Sequence, residues 1–430
     1  MPNGQSPKSE NRLRIGFVHR FDARSVRSWS GTFLFMAKAL EKQVGEVVYL
    51  GPDNSSRTKF IIDNTARVNR LWFRLTGKTL ITDHNRVLSN RLARFFKQRL
   101  KEERCDILFA PAASVEIASL KTSLPIVYSS DTTWADVIDY YPEFSSLSAL
   151  SKLEGEKIEA AAIRRADAIA YPSEWAASSA REHYKADPAK IHRLAFGANL
   201  DVVPTRDQAL QHPLTSSIRL LMVGVDWERK GGAIALECLQ SLLASGIDAF
   251  LTVVGCTPPA SAEHPRMHVI PFLNKNDSED RAKISRLFLD AHFLLLPTRA
   301  EAMGIVTCEA SAHGLPALVT DTGGTRGALN PGVNGFLLPL NARGADYAEK
   351  IISVIASPAR YADLVLSSRD EFERSLNWDA WGRAMLSLME RVLNRKIQQT
   401  ERMESASPAS IDEPKHQDVV SSLTAEVTHS

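Results

Sequence analysis

Two glutamates with seven residues between them are the side chains in this sequence whose types and spacing best suit a binding site. Glu301 follows a buried apolar run, Phe293–Leu296, and Glu309 lies inside the helical pattern over Ile305–Ala312. Gly304 stands between them, where the missing side chain lets a ligand approach the backbone closely. Carboxylates repel phosphate but accept hydrogen bonds from sugar hydroxyls. We interpret the pair as sugar contacts; two solvent-exposed helix glutamates are the alternative.

The start of the same helix offers a site for an anion. The backbone N–H groups of Met303, Gly304 and Ile305 have no acceptor in a preceding turn, and the helix dipole adds positive potential there. Both features favour phosphate. The sequence therefore indicates a ligand that carries sugar and phosphate together.

A basic pair opens a second predicted helix. Arg229 and Lys230 follow the apolar run Ile218–Val223, and Gly231 begins the helix. Cations at a helix start are unfavourable because they oppose the helix dipole, so their presence indicates a bound phosphate. A solvated basic pair is the alternative.

Short apolar runs alternate with helical patterns along most of the chain. Most of these runs are continuous rather than alternating, which is typical of strands buried on both faces of a parallel sheet. The alternation predicts βαβ units and two doubly wound α/β domains that face each other across a cleft. The predicted strands are Leu13–Val18, Glu46–Leu50, Ile107–Ala110, Ile126–Ser129, Ala168–Tyr171, Ile218–Val223, Ala249–Val254, His268–Ile270, Phe293–Leu296 and Ala317–Val319.

The predicted organisation has six parts. They are a disordered leader (1–11), a first Rossmann-like domain (12–205), a linker (206–217), a second Rossmann-like domain (218–375), a helix that packs back towards the first domain (376–397) and a disordered tail (398–430).

Composition narrows the class of protein. The chain has 430 residues with 44% hydrophobic and 24% charged side chains, which suits a two-domain globular protein rather than a disordered or disulfide-stapled one. Its four cysteines form no C-x-x-C pair, so we expect reduced core residues and a cytoplasmic location. No signal peptide and no membrane-spanning stretch is visible, and no metal site is predicted.

Taken together, these motifs resemble retaining glycosyltransferases of the GT-B fold, and most closely glycosyltransferase family 4. The residues that carry the resemblance are E301-x7-E309 with Ala310, Gly314 and Pro316, then T322-G323-G324, N334-G335-F336, V223-G224 and R229-K230-G231.

The resemblance implies an enzyme that moves a hexosyl group from a UDP- or GDP-sugar to an acceptor hydroxyl with retention of anomeric configuration. The acceptor is a glycan, a lipid or a small molecule, and no bound cofactor or metal is expected. A non-catalytic sugar or nucleotide binder is the alternative function. The implied donor contacts are Gly31, Arg229, Lys230, Thr298, Glu301, Met303, Gly304, Ile305 and Glu309.

Three positions depart from the family pattern or leave its reading open. Val225 stands where the family often has arginine, so either Arg229 supplies that charge or the charge comes from elsewhere in the chain. Asp131 stands near the position where many relatives carry a histidine that contacts the donor sugar. We assign Asp131 to the catalytic set with Glu301 and Lys230. Capping of the next helix is the alternative. Gly31 either approaches the ligand or follows an ordinary N-cap at Ser30.

Charge is concentrated in one stretch. Residues 56–104 hold 13 Lys/Arg and 4 Asp/Glu, whereas the whole chain has a net charge of only +2. Leu88, Leu92 and Phe96 form an apolar stripe at helical spacing within it, so a solvated amphipathic helix is one reading. Peripheral contact with an anionic membrane, at its inner face, is a second. Nucleic acid is not expected as a partner, because no recognition motif accompanies the charge.

Overall fold

The structure, a computed structural model, describes residues 12–25 and 28–405, and of residues 400 and 403–405 the backbone alone. The predicted leader and residues 406–430 of the predicted tail lie outside the described residues. Two six-stranded sheets form the framework, and every strand pair in both is parallel.

The first sheet has the strand order β2-β1-β3-β4-β5-β6. Its strands are β1 (Leu13–Phe17), β2 (Gly45–Tyr49), β3 (Ile107–Pro111), β4 (Ile126–Ser129), β5 (Ala168–Tyr171) and β6 (Ile191–Arg193). The helices of this half are α1 (Thr32–Gln43), α2 (Ser56–Thr76), α3 (Arg86–Glu102), α4 (Ser114–Ile117), α5 (Trp134–Val137), α6 (Ala149–Arg165) and α7 (Glu174–Glu182).

The second sheet has the strand order β12-β11-β10-β7-β8-β9. Its strands are β7 (Ile218–Val223), β8 (Ala249–Val254), β9 (Met267–Ile270), β10 (Phe293–Leu296), β11 (Ala317–Thr320) and β12 (Gly335–Leu338). The remaining helices are α8 (Arg206–Ala209), α9 (Gly232–Ala244), α10 (Ser278–Asp290), α11 (Ile305–Ala312), α12 (Gly344–Ile355), α13 (Pro358–Arg374) and α14 (Trp378–Ser405).

The predicted fold class is confirmed. Each of the ten predicted strands is present to within one residue at either end. Strands that are buried on both faces consist of continuous apolar runs, which can be recognised in the sequence. The two strands that sequence analysis missed, β6 and β12, each lie at one edge of a sheet. All four cysteines are buried and unpaired.

The order of the second sheet determines where a ligand site can form. The chain runs from β7 to β8 and β9 on one side of the sheet, then returns to β10 beside β7 and continues to the other side. Such a reversal leaves a crevice at the carboxyl ends of the two central strands. Lys230 follows β7 and Glu301 follows β10, so the topology brings them to the same crevice.

The last helix joins the second half of the chain to the first. Trp381, Met385 and Leu388 of α14 are fully buried in one core with β1 and α1 of the first sheet. Trp381 also packs edge-on against Phe109 of β3, with ring centroids 5.7 Å apart. This helix therefore helps to fix how the two sheets face each other.

Two segments differ from the sequence prediction. The predicted linker contains α8, because Thr205 and Gln208 form a capping box that starts a helix there. Helix α14 continues to Ser405, so residues 398–405 of the predicted tail are helical. The sequence up to that point is rich in Arg, Lys, Gln and Glu, which favour helix even where no core is available.

We predict that Met385→Ala lowers the stability of the folded protein. Its side chain, on α14, is 0% exposed in the core shared with β1 and α1, so truncation leaves a cavity that costs about 2–5 kcal/mol. Urea denaturation followed by circular dichroism measures the shift in midpoint. Ser387→Ala, on the exposed side of the same helix, is the matched control, and equal midpoints for the two variants would contradict the prediction.

Candidate active site

An ion pair joins the ends of the two central strands of the second sheet. Lys230 Nζ donates a hydrogen bond to Glu301 Oε2, and the two side chains are only 11% and 12% exposed. A side chain at Gly224, just after β7, would lie 2.7 Å from Cγ of Lys230. Glycine at this position therefore gives the lysine its path to Glu301.

Arg229 adds a second positive charge to the same carboxylate. Its guanidinium lies 3.8 Å from Glu301 Oε2 and donates to the carbonyl oxygen of Ala300 at 3.1 Å. It also lies over the Tyr141 ring, 5.7 Å from the centroid. Val225, by contrast, is 79% exposed. Arg229 thus lies beside Glu301, and its substitution for the family's arginine stays a prediction.

Thr298 joins the loop that follows β7 to the loop that follows β10. Its side chain is 0% exposed, and its hydroxyl lies 3.0 Å from the carbonyl oxygens of both Arg229 and Ala300. In the structure the Thr298 side chain therefore has a positioning role, and its contact with the donor stays a prediction.

Tyr140 brings the first half of the chain to the site. Its hydroxyl accepts a hydrogen bond from the backbone N–H of Glu301 at 2.9 Å and lies 3.0 Å from Oγ1 of Thr322. Sequence analysis missed this tyrosine, since its role depends on a contact between residues 161 positions apart. The backbone of Glu301, whose carboxylate lies between the two basic residues, is thus held by the first half of the chain.

The start of α11 has the backbone geometry expected of an anion site. Gly304 is the N-cap residue with φ of 78°, a left-handed conformation that favours glycine, and no side chain caps the helix. Within the described part of the chain, no acceptor contacts the N–H groups of Met303, Gly304 or Ile305. The Met303 side chain itself packs into the core of the first half.

Glu309 has a lysine partner of its own. It is 2% exposed and accepts a hydrogen bond at 2.8 Å from Lys275, which follows β9 at the same edge of the sheet. Lys275 also lines a cavity of about 540 Å³ between the 28–31 loop, residues 199–205 and α10. Sequence analysis missed Lys275, although its place just after a predicted strand was the available signal.

Asp131 lies in the cleft beside this cluster. The residue that caps α5 is Thr133, which forms a capping box with Asp136, so the alternative reading of Asp131 as a helix cap is wrong. Removal from water raises the pKa of Asp131 to about 7, and the negative charge of Glu301 adds to the effect. A carboxyl group with such a pKa can hold or release a proton near neutral pH.

The loop before α1, residues 28–31, has a strained backbone. Trp29, Ser30 and Gly31 have φ of 47°, 56° and 85°, and the N-cap position belongs to Gly31 without a side-chain bond. The alternative of an N-cap at Ser30 is therefore wrong. Asn199 holds the loop by donating to the Ser30 carbonyl at 3.1 Å, and it accepts from Trp378 Nε1 at 3.1 Å. Strain of this kind is concentrated at functional sites.

The structure thus brings most of the predicted residues to one crevice. Arg229, Lys230 and Glu301 are in contact, and the start of α11 and Glu309 continue the same strand-end surface. Asp131 and the 28–31 loop belong to the opposing half.

Two known families match the chain. The model described as Glycosyltransferase Family 4 matches residues 32–202, and the model described as Glycosyl transferases group 1 matches residues 217–357. D-inositol 3-phosphate glycosyltransferase of Nocardiopsis dassonvillei is 26% identical over 235 residues, which are 50% of this chain and 54% of that protein. The chain thus spans about half the length of the curated relatives that it matches.

Solved structures share the fold over nearly the whole chain. A glycosyltransferase from Rickettsia africae has a TM-score of 0.59 at 16% identity and covers 89% of this chain and 99% of its own. Alr3699/HepE of Anabaena, solved in complex with UDP, has a TM-score of 0.55 at 13% identity and covers 92% and 100%.

The fold and the site place this protein in the GT-B class. Within that class, the two matching models together cover most of residues 32–357, and the chain belongs to the family 4, group 1 glycosyltransferases.

We predict that the stability of Asp131→Asn, relative to the unchanged protein, rises with pH. The folded-state pKa of Asp131 is about 7 and the ordinary value is 3.8, so folding must suppress its ionisation. This lowers the free energy of unfolding of the unchanged protein. The loss is absent below about pH 4, grows as the pH rises towards 7 and is constant above pH 7. Asparagine does not ionise and avoids this loss.

Urea denaturation at pH 5 and pH 8 measures the effect. The free-energy difference in favour of the variant should be larger at pH 8. Asp207→Asn, an exposed carboxylate of α8, corrects for the loss of one negative charge. The same difference at both pH values would refute the assignment.

Proposed function

We propose that this protein transfers a sugar from a nucleotide-diphosphate sugar to an acceptor hydroxyl with retention of anomeric configuration. The observation that carries the proposal is the pairing of two carboxylates with two lysines around a helix start that no side chain caps. Lys230 pairs with Glu301 and Lys275 with Glu309, and the start of α11 lies between the glutamates in the sequence. The site thus combines acceptors for hydroxyl groups with donors for phosphate.

The donor has a natural orientation in this site. Its diphosphate binds Lys230, Arg229 and the N–H groups at the start of α11, where positive charge and free donors coincide. Glu309 accepts from the ribose hydroxyls and Glu301 from the transferred sugar. The 28–31 loop and Asp131 approach the donor from the first half of the chain.

Binding of the donor exchanges one anion for another at Lys230. The lysine is paired with Glu301 in the structure, and a diphosphate competes with that carboxylate for the ammonium group. Withdrawal of Lys230 frees an oxygen of Glu301 to accept from a sugar hydroxyl. Diphosphate binding and sugar binding are therefore coupled through one ion pair.

The chemical step needs no protein nucleophile. The bond from the anomeric carbon to the diphosphate oxygen breaks, and the acceptor oxygen forms the new bond on the same face of the sugar. The acceptor proton passes to an oxygen of the departing diphosphate. Negative charge on that group grows as the bond breaks, so Lys230 and Arg229 stabilise the transition state more than the bound donor.

The nucleotide and the acceptor are proposed by class. The UDP complex of the Anabaena protein with the same fold supports a UDP-sugar, and a GDP-sugar is the other choice. The curated relative acts, by its name, on D-inositol 3-phosphate. A glycan, a lipid or a small hydroxylated molecule is the proposed acceptor.

A non-catalytic sugar-nucleotide binder is the second candidate. It is favoured by the exposed Val225 at the position where the family often carries arginine. Slow hydrolysis of the donor in the absence of acceptor distinguishes the two, since a binder without chemistry releases no free sugar.

We predict that Lys230→Ala lowers turnover at saturating donor by about 10²–10³-fold, the effect of removing one preorganised electrostatic contact. Release of nucleoside diphosphate from UDP- and GDP-sugars measures it. Lys283→Ala, an exposed lysine of α10, is the matched control and should keep full activity.

Stability needs its own control in this experiment. Lys230 is buried against Glu301, and its loss leaves that carboxylate without its closest partner. Lys230→Ala combined with Glu301→Gln removes the stranded charge and should restore stability without restoring turnover. Full turnover by folded Lys230→Ala would overturn the proposed role of the lysine.

A further inference from the structure

Helix α2 exposes large apolar side chains to solvent, which is unusual for a helix of a self-contained globular domain. The inward side of α2 combines polar contacts with two partly buried isoleucines, Ile61 and Ile62, which pack against the core of the first sheet. Thr58 donates to Asp53 at 2.6 Å, and the side-chain oxygen of Asn69 accepts from the backbone N–H of Leu80 at 2.7 Å. Thr65 lies on the same face and contacts the carbonyl oxygen of Thr82 at 3.4 Å.

The neighbouring face of α2 carries large apolar side chains that lie in solvent. At about 100° per residue, one stripe collects five large apolar side chains. Their exposed fractions range from 40% to 74%, and they are Phe60, Val68, Leu71, Trp72 and Leu75. We call these five residues the α2 stripe. A contiguous exposed apolar surface of this kind marks a contact with a partner or a lipid surface.

Positive charge borders the α2 stripe along one side. Arg67, Arg70 and Arg74 follow each other down the helix beside it, and the whole of α2 holds five basic residues and one acidic residue. At the other end of the helix, Arg57 and Phe60 line a hollow of about 630 Å³. Arg91 and Arg94 of α3 complete its wall, so three arginines surround the hollow and Phe60 joins it to the stripe.

The neighbouring helix has no such face. Leu88, Leu92 and Phe96 of α3, the apolar stripe singled out in the sequence, are all 0% exposed in the core of the first sheet. The basic segment therefore contains two amphipathic helices, and α2 alone presents its apolar face to the outside. No described helix is long and apolar enough to cross a membrane, so the contact made by α2 lies along a surface.

We propose that α2 docks the protein onto an anionic lipid surface. The α2 stripe enters the boundary of the acyl chains, the bordering arginines contact headgroup phosphates, and the hollow between α2 and α3 receives one anionic headgroup. The charge on the helix selects this occupant, because a second copy of the chain would oppose one basic helix to another. The inference does not depend on the proposed reaction.

Co-sedimentation with vesicles tests the proposal with the full chain. Vesicles of phosphatidylglycerol mixed with phosphatidylcholine should bind the protein, pure phosphatidylcholine should bind it far less, and added salt should release it. Trp72 fluorescence should shift to shorter wavelength on binding, and Trp72→Phe should lose that shift. Absence of binding to the anionic vesicles would refute the proposal.

Matched variants separate α2 from general charge and hydrophobicity. Arg67→Glu with Arg74→Glu should lower partitioning by about tenfold or more, and Leu71→Glu with Leu75→Glu should abolish it. Lys121→Glu with Arg360→Glu reverses the same charge elsewhere, and Leu340→Glu alters an exposed leucine of the second half; these controls should bind as the unchanged protein does. Equal loss in controls and α2 variants, or self-association that Leu71→Glu removes, would overturn the membrane assignment.

Discussion

The ion pair between Lys230 and Glu301 is the interaction on which the site depends. Both side chains are nearly buried, so each charge needs the other or a substitute of the same sign as its partner. The strand order of the second sheet makes the pair possible by placing the ends of β7 and β10 side by side. Thr298 and Arg229 then hold the two loops in register, and a diphosphate is a ligand that can replace Glu301 as the partner of the lysine.

The same glutamate connects the two halves of the chain through its backbone. Tyr140 of the first half binds the backbone of Glu301, and Asn199 links the strained 28–31 loop to Trp378 at the start of α14. Helix α14 in turn packs in the core of the first sheet. The relative position of the halves, and with it the proposed geometry between donor and acceptor, therefore depends on contacts that lie outside the second sheet.

Sequence patterns predicted the elements that have a local signature and missed the residues whose roles depend on tertiary contacts. Buried parallel strands and the glycine before α11 have local signatures. The outer strand β6 has only three residues, and β12 is only half buried, so neither has such a signature. Tyr140 and Lys275 matter through residues distant in the chain, so no spacing revealed them. In the basic segment, α2 and α3 have similar patterns, and only the packing shows that α3 buries its apolar face while α2 exposes it.

Isothermal titration of the unchanged protein and of Glu301→Gln with UDP, or with GDP if that is the nucleotide bound, tests the central claim most directly. A nucleoside diphosphate carries no transferred sugar, so loss of a sugar contact does not enter the measurement. If the diphosphate competes with Glu301 for Lys230, the variant should bind the nucleotide more tightly than the unchanged protein, because the competing carboxylate is gone. Weaker binding by a correctly folded Glu301→Gln would contradict the account.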